Sequence, residues 1–345
     1  MPSPTHPQAA SSISVLPPDS DGWRTFATEH ATSPLQHPAW LDTLTGAYRL
    51  HAQIVALTDA QGSILAGLPM IRSKLPWRKG WTSLPFTDTF EPIADNDAHR
   101  DELLSKAAEH AGAEPILLRT HTDLPGWCSR QVGTVQLIDL TEGADGVLRG
   151  AKGKTRQNIK LARKAGLLAR PIVSRSEFMG ANLNLLASSR ARLGAPTQPR
   201  RYWSRVWELH EREQALTIGV YLKEKLLANA IFVIGERHAT FKYSASDVQT
   251  RNLRSNYLAF ATALQELEDR GMQSMDFGIT DLHNTSLRRY KVHWGGEEQP
   301  AYFSATDASM LPNTIEPGRL LTTVIQRTPV FVGRTVGSLA YPFVA

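Results

Sequence analysis

The sequence predicts an α+β protein made of two similar halves. Its 345 residues are enough for two domains of ordinary size, and the apolar fraction of 41% supports a buried core in each. In both halves, segments with the helical period alternate with short segments that have the period of a β-strand. Because several strands follow one another through short turns, we expect mixed, mostly antiparallel sheets flanked by helices. The boundary between the two halves is predicted near Gly143–Gly153.

The predicted organisation has four parts. Residues 1–12 are expected to be a disordered lead-in, 13–148 the N-terminal domain, 149–310 the C-terminal domain, and 311–345 a tail that packs back on the body. The N-terminus lacks the basic and apolar regions of a signal peptide, and no run of 18 apolar residues occurs. We therefore expect a cytoplasmic protein. Membrane contact through the apolar tail is the less favoured alternative.

The charge and cysteine content narrow the class further. A formal net charge of +5 and a pI of about 9.3 allow a phosphate-bearing partner without requiring one. The single cysteine, Cys128, excludes an intramolecular disulfide and fits a reducing compartment. We expect this side chain to be a small buried apolar group.

The first half begins with a helix predicted at His37–Tyr48, with Pro38 near its start and Gly46 near its end. A strand hairpin with its turn at Ala60–Gly62 follows. The acidic start of the next helical segment and Gly112 after it are typical helix boundaries. The half is completed by the helix at 97–112 and by strands at 114–120 and 134–140.

The second half repeats this alternation. Its central meander of three strands is indicated by alternating apolar residues and by β-branched and aromatic content. A helix with an apolar face follows and ends before Gly271. In order, we predict helical segments at 146–166 (apart from its glycines), 177–194 and 201–214, strands at 216–225, 226–236 and 237–246, the helix at 256–271, and strands at 274–279 and 298–305.

Several classes of site are missing from the sequence. HExxH, CxxC and GxSxG motifs do not occur, so we expect no metal and no serine-hydrolase site. The triplet "GKT" at Gly153–Thr155 resembles the end of a phosphate-binding P-loop. That loop requires a glycine five residues before Gly153, where this chain has Leu148. Nucleotide hydrolysis is therefore disfavoured.

A cluster of cations lies at the start of the second half. The segment from Arg149 to Lys164 contains seven cations and no acid. Its cations recur every three or four residues, so a continuous helix would place them on one face: Arg149, Lys152, Arg156, Lys160 and Arg163. A polyanion would relieve their mutual repulsion. A solvated helix face explains the pattern equally well, and both interpretations remain open.

A second cationic segment follows the meander. In acyl-CoA N-acetyltransferases, a strand followed by a helix cradles pyrophosphate through a Q/RxxGxG/A loop, whose glycines let backbone N–H groups approach the phosphates. Here Arg251 begins that spacing, but Arg254 and Asn256 occupy the glycine positions. This departure argues against an ordinary CoA loop. It leaves two arginine side chains that could hold a phosphate.

The stretch "TSLRRYKVHWGG", Thr285–Gly296, combines three cations with three rings and ends on two glycines. Together with other segments it resembles the Fem family of aminoacyl-tRNA-dependent transferases and the wider Fem-like proteins of the GNAT acyltransferase superfamily. The matching segments, over about Gln36 to Ala305, are Gln36–Trp40, Gly67–Met70, Leu84–Asp88, Thr155–Gly166, Phe241–Ser246, Met275–Thr280 and Ser286–Gly296. The resemblance implies two tandem GNAT-like domains with a shared cleft, and transfer of an aminoacyl group from tRNA onto an amine.

The resemblance also implies roles for individual residues. Tyr290 and Lys291 match an aromatic–lysine pair that the family places at the acyl ester, and Tyr243 matches an active-site tyrosine. Asp88 falls near an acidic residue of the first-domain cleft. In such a site Lys291 would stabilise the oxyanion, Tyr243 would donate a hydrogen bond, and Asp88 or Asp276 would take the proton of the amine. The residues expected to contact substrate or tRNA are Trp40, Arg149, Lys152, Arg156, Lys160, Arg201, Tyr202, Arg251, Arg254, Arg288, Arg289 and Tyr290.

The chain departs from the peptidoglycan-building Fem proteins at two positions. Leu44 stands where they carry a lysine, and Gln198 stands where they carry an arginine four residues before a tyrosine, although Arg200 and Arg201 adjoin Tyr202. Their long helical arm also has no counterpart. We therefore expect aminoacyl-tRNA as donor and a small amine-bearing acceptor, for example in natural-product biosynthesis, with no cofactor and no DNA. The alternatives are an acyl-CoA N-acyltransferase, a peptidoglycan-bridge transferase and a non-catalytic binding module.

Overall fold

The computed structural model describes residues 11–72, 80–111, 114–312 and 326. Its helices are α1 Asp21–His30, α2 Pro38–Tyr48, α3 Asp97–Ala111, α4 Gly143–Gly150, α5 Gly153–Lys164, α6 Arg175–Glu177, α7 Leu183–Arg192, α8 Arg200–Glu211, α9 Ser255–Asp269 and α10 Thr285–Val292. Its strands are β1 Ser12–Leu16, β2 Ala52–Thr58, β3 Ile64–Arg72, β4 Trp81–Thr82, β5 Ile93–Ala94, β6 Ile116–Thr120, β7 Cys128–Asp139, β8 Leu168–Pro171, β9 Ala215–Leu222, β10 Lys225–Ile234, β11 His238–Ser246, β12 Ser274–Asp281 and β13 Glu297–Ala305.

The strands form one mixed sheet of 13 strands in the described part of the chain. Their order is β1-β2-β3-β4-β6-β13-β7-β12-β11-β10-β9-β8, with β5 paired to β3. Parallel pairing is found between β4 and β6 and between β11 and β12, and the other recorded pairs are antiparallel. The predicted α+β class with a mostly antiparallel sheet is therefore confirmed.

The two halves are joined through exchanged strands. The last strand, β13, lies between β6 and β7 of the first half, and β7 in turn pairs with β12 of the second half. Each half therefore completes its sheet with a strand of the other, and the sheet runs without a break past residue 149. The division of the chain at 148/149 stays a prediction, and it does not coincide with an edge of the sheet.

The core of the first half also contains aromatic residues from the second. Helix α8 buries Tyr202 and Trp203, and both belong to the same apolar cluster as Trp40 of α2. The rings of Trp40 and Tyr202 meet edge to face, with centroids 6.5 Å apart. Burial of these large rings is a major source of stabilisation, so the halves share packing as well as strands.

Local helix boundaries illustrate where the predictions succeed. Helix α9 ends as predicted: Gly271 has φ +76°, and its N–H donates to the carbonyl of Glu268. Helix α2 ends at Tyr48, as predicted, where Arg49 adopts the left-handed conformation and its N–H donates to Thr45 O. Strand β1 and helix α1 lie in a region for which no element was predicted.

Two predictions are wrong, and others lie outside the described residues. Cys128 is exposed rather than buried, because it begins β7 at the rim of the sheet. The five cations from Arg149 to Arg163 do not share one helix face, because Ala151 is extended (φ −61°, ψ 150°) and separates α4 from α5 between Gly150 and Gly153, two of the glycines that were excluded from the predicted helix. Most of the lead-in and tail, and Gly112, lie outside the described residues. Within the described ranges, no helix is long and apolar enough to cross a membrane.

Candidate functional site

The candidate site is an opening in the sheet between β11 and β12. These parallel strands pair over three residues each, from His238↔Ser274 to Thr240↔Asp276. Beyond that point β11 continues to Ser246 and β12 to Asp281, but the two strands no longer pair with each other. The facing edges of the two strands therefore no longer pair with each other, and side chains from other elements can reach their backbone groups.

Both strands carry a bulge next to the opening. In β11, Tyr243 pairs with Ile231 and Phe241 pairs with Phe232, which leaves Lys242 as the extra residue. In β12 the register shifts between Asp276 and Ile279, around Gly278 with φ +64°. Bulges re-aim side chains and are frequent beside active sites. Here they direct groups from both strands towards the same region.

Lys291 is buried at this opening, although it adjoins Arg288 and Arg289 in a strongly cationic segment. Its Nζ donates to Phe277 O at 2.7 Å and to Gly278 O at 2.8 Å, and the residue is 4% exposed. Burial lowers the pKa of Lys291 to about 8, although the carboxylates of Asp88 and Asp276 act in the opposite direction. The asparagine cap of α10, in which Asn284 accepts from Leu287 N, helps to orient the helix that carries this lysine.

Asp88 forms an ion pair with Lys242, a residue that the sequence analysis missed. The Lys242 Nζ–Asp88 Oδ2 distance is 2.7 Å, and the Lys242 side chain is only 6% exposed. The same ammonium lies 5.7 Å from the ring centroid of Trp40. A Cβ at Gly278 would lie 3.2 Å from Asp88 Oδ2, so the carboxylate is close to the β12 bulge. The bulge that places Lys242 here has no signature in the sequence.

Asp276 is held by three hydrogen-bond donors. Its Oδ2 accepts from His238 Nε2 at 2.8 Å and from Thr240 Oγ1 at 2.7 Å, and its Oδ1 accepts from Gly278 N at 2.6 Å. Burial would raise the pKa of Asp276, but the hydrogen bonds from His238, Thr240 and Gly278 outweigh it and hold this pKa below its ordinary value. An ionised carboxylate that is already well solvated by donors is a weak base.

Aromatic residues pack against Tyr243, the tyrosine predicted for the active site. The hydroxyls of Tyr243 and Tyr202 are 2.7 Å apart, and the Tyr243 ring meets Trp203 at a centroid distance of 5.1 Å. Tyr202 is 0% exposed and Trp40 is 1% exposed. This burial argues against the predicted contact of Tyr202 and Trp40 with substrate or tRNA. Their position behind Tyr243 and Lys242 gives them a supporting role.

A cationic pocket of about 380 Å³ lies at the far end of β11. It contains Arg251 and Arg254, which the sequence analysis selected, together with Arg192 of α7, which it did not. The N-terminus of α9 contributes further positive potential. Tyr290, the neighbour of Lys291, forms part of the wall. The lining residues are Ser189, Arg192, Leu193, Ser244, Ala245, Ser246, Arg251, Arg254, Ser255, Asn256, Tyr257 and Tyr290.

The remaining predicted contact residues are distributed over several surfaces. Arg288 pairs with Glu298 of β13, which gives it a structural partner. Arg156 donates to Arg149 O at 2.9 Å and so satisfies a carbonyl at the end of α4. The other predicted cations are exposed to solvent and are spread over four helices, α4, α5, α8 and α10, with Lys152 just before the start of α5: Arg149, Lys152, Lys160, Arg201 and Arg289.

Comparison with known proteins identifies the fold. Residues 149–292 match the family model of the acetyltransferase (GNAT) domain, and no curated protein matches the chain. The crystal structure of FemX has a TM-score of 0.66 and 17% identity, and the alignment covers 85% of this chain and 96% of that one. The structure of L-PGS from Bacillus licheniformis has a TM-score of 0.56 and 13% identity, with coverages of 93% and 98%.

A further similar structure is a tandem GNAT protein from the clavulanic acid biosynthesis pathway. Its TM-score is 0.52 at 14% identity, and the alignment covers 86% of this chain and 99% of that chain. At such identities the likeness concerns the fold. The predicted Fem-like resemblance is confirmed at that level: the chain has the tandem GNAT fold seen in FemX, and residues 149–292 match the GNAT acetyltransferase domain.

Proposed function

We propose that this protein transfers an aminoacyl group from aminoacyl-tRNA onto the amine of an acceptor. The amine nitrogen attacks the ester carbonyl carbon, the ester C–O bond breaks, and the ribose hydroxyl of tRNA leaves with the proton that the amine gives up. The observation that carries this proposal is the buried ammonium of Lys291 at the divergence of β11 and β12. An ester is sufficiently activated for positioning and electrostatics to supply much of the rate.

Lys291 is proposed to stabilise the tetrahedral oxyanion. An ammonium has three N–H donors, and two of them are directed to Phe277 O and Gly278 O. The third is then left for the oxyanion, with a charge fixed in a site of low dielectric. With a pKa of about 8, Lys291 is mostly protonated at neutral pH, which is the form that this role requires.

Asp88 is the preferred acceptor of the amine proton. Asp276 accepts hydrogen bonds from three donors through both of its oxygens, whereas Asp88 forms its ion pair with Lys242 through Oδ2. Lys242 would hold the Asp88 carboxylate beside Gly278, within the same region as the Lys291 ammonium. The substrate or solvent could complete the proton transfer after the nitrogen–carbon bond has formed.

The phosphates of the donor are proposed to contact two cationic regions. The pocket with Arg192, Arg251 and Arg254 adjoins Tyr290 and would take a phosphate near the acyl group. The exposed cations Lys152 and Lys160 lie at the start and within α5, where they could contact a longer phosphate backbone. A donor as large as tRNA would use both regions.

The acceptor is proposed to be a small molecule or peptide with a free amine. Leu44 is 0% exposed and Gln198 is 6% exposed, so both positions that carry cations in peptidoglycan-building relatives are buried and uncharged here. A nucleotide-linked cell-wall precursor would lack these charge partners. A peptidoglycan-bridge transferase is therefore the less favoured version of this proposal.

An acyl-CoA-dependent N-acyltransferase is the second candidate. It is favoured by the GNAT domain match and by the position of the arginine pocket at the N-terminus of α9, beside the diverging strands. In that case the pocket would hold the CoA pyrophosphate through arginine side chains instead of a glycine loop. No resident metal or other cofactor is part of either proposal.

A donor assay separates the candidates. The purified protein is incubated with a mixture of labelled aminoacyl-tRNAs or with labelled acyl-CoAs, each with a panel of small amines, and labelled amide is measured. Amide formed from aminoacyl-tRNA and reduced in Lys291→Met supports the proposal. Amide formed from acyl-CoA alone replaces it with the second candidate. Donor binding without turnover on the whole panel would indicate a non-catalytic binding module.

A further inference from the structure

The two carbonyl groups that hold Lys291 come from successive residues of β12. In a regular strand, successive carbonyls point to opposite edges, so Phe277 O and Gly278 O could not both reach one ammonium. The bulge allows it because Gly278 takes the left-handed conformation with φ +64°, which glycine adopts without strain. The position of Lys291 Nζ therefore depends on the shape of this bulge.

A set of hydrogen bonds from the neighbouring strand holds the bulge in place. Asp276 accepts from Gly278 N at 2.6 Å, which closes the turn of the backbone around Phe277. The other oxygen of Asp276 accepts from His238 and Thr240, both on β11. The second ring nitrogen of His238 lies 2.8 Å from Ser274 Oγ. The imidazole thus bridges two residues of β12.

These contacts lie at the last paired position before the strands separate. The parallel ladder ends at Thr240↔Asp276, and the bulge follows two residues later. Asp276 is 9% exposed, so its hydrogen bonds are shielded from competition with water. Hydrogen bonds at this point would fix where β12 turns away from β11, and therefore the direction in which the carbonyls of Phe277 and Gly278 point.

We propose that His238 and Asp276 are positioning residues, which hold the β12 bulge in the shape that places Lys291 for oxyanion stabilisation. This inference rests on the proposed role of Lys291. His238 then does not exchange protons with the substrate, and it acts through the chain of contacts His238–Asp276–Gly278–Lys291. Asp276 becomes part of the support for the site instead of its base.

The proposal predicts how substitutions of His238 change the transfer rate. A misplacement of about 1 Å in a catalytic group costs up to about 100-fold in rate. His238→Leu should therefore slow single-turnover acyl transfer about 10- to 100-fold, with donor affinity unchanged. His238→Gln retains an N–H donor for Asp276 and should recover most of the rate.

The test is a double-mutant cycle with Lys291→Met. Since His238 acts through Lys291, His238→Leu should change the residual rate of Lys291→Met by less than about 2-fold, a strongly non-additive result. A proton-transfer role or a general structural role for His238 would slow both backgrounds by the same factor, and that result would overturn the proposal. Asp276→Asn, which keeps the shape of the side chain, is run through the same cycle in case His238→Leu does not fold.

A matched control uses a second partly buried histidine. His210 Nε2 lies 2.9 Å from Thr217 Oγ1 of a neighbouring strand, and its ring packs on Phe178 and Trp207. His210→Leu should leave transfer near the wild-type rate in both backgrounds. If Lys291→Met itself transfers at the wild-type rate, the proposed function of Lys291 fails. If Lys291→Met is slow but the cycle is additive, only the positioning role fails.

Discussion

Replacing Lys291 with methionine tests the proposed chemistry most directly. Methionine keeps an unbranched side chain at this buried position but removes the ammonium that donates to Phe277 O and Gly278 O. Loss of one preorganised oxyanion donor typically costs about 10²–10³ in rate. We therefore expect single-turnover transfer at saturating donor to fall by that factor, while donor affinity changes little.

The expected effect of Lys291→Met on stability is small, because two terms oppose each other. Burial lowers the pKa of Lys291 from 10.5 to about 8, so the folded protein at pH 7 bears a cost of about 3 kcal/mol that methionine avoids. The two carbonyls lose hydrogen bonds that contribute about 1 kcal/mol each. The melting temperature should therefore stay within about 5 °C of the wild-type value.

The pH dependence supplies a second readout for the same variant. Since protonated Lys291 is the active form, the wild-type transfer rate should lose this contribution as pH rises through about 8. Between about 8 and 10.5 the unfolded chain retains a proton that the folded chain has lost. Folded wild-type protein should then gain stability with pH relative to Lys291→Met.

Transfer from labelled donor is followed by quenched flow over roughly pH 6–10, which brackets the shifted pKa of Lys291, in buffers that preserve the ester. Thermal melts of both proteins are recorded as well. Correction for spontaneous ester hydrolysis is made with protein-free controls. A Lys291→Met protein that is folded and transfers as fast as wild type would refute the catalytic assignment. The ratio of the wild-type rate to the Lys291→Met rate removes the ionisation of the acceptor amine, and a ratio that rises through pH 8 would instead identify neutral Lys291 as the active form.

Three further predictions concern the regions around the site. Arg251→Gln and Arg254→Gln should each weaken donor binding roughly 10- to 100-fold in anisotropy titrations, because hydrogen bonds to charged groups contribute about 1.5–3 kcal/mol. An unchanged affinity would show that the pocket is not part of the donor site. Replacing Lys152 and Lys160 together with Gln should reduce the slope of log affinity against log salt by about 1.5 to 2, and an unchanged slope would return α5 to the status of a solvated face. Gly278→Ala should lower both the transfer rate and the melting temperature. The φ of +64° at this position is strained for alanine, and the new Cβ would lie 3.0 Å from Phe241 O. A fully active Gly278→Ala would show that the bulge shape is not required.

The sequence by itself determined the local elements and the general location of the site. Periodicity and boundary residues were sufficient for α9 and for the meander β9–β11, because these features depend on residues close together in the chain. The ordered set of motifs predicted the Fem-like tandem GNAT fold. It also selected Lys291 and Asp88, which the structure brings to the same opening.

The tertiary structure alone decided how these parts combine. The exchange of β13 and β7 pairs residues more than 150 positions apart, and no local pattern encodes which distant strand fills a given place. Burial separates Trp40 and Tyr202 from solvent although their sequence context suggested ligand contact.

The two β-bulges could not be predicted from the sequence either. A bulge is set by the competition between two strand registers, and Lys242 reaches Asp88 only because one residue of β11 has no partner on β10. Likewise, Lys291 is a buried cation only because Gly278 turns two carbonyls towards it. The identity of the residues therefore indicated the chemistry, and long-range pairing decided which of them act together.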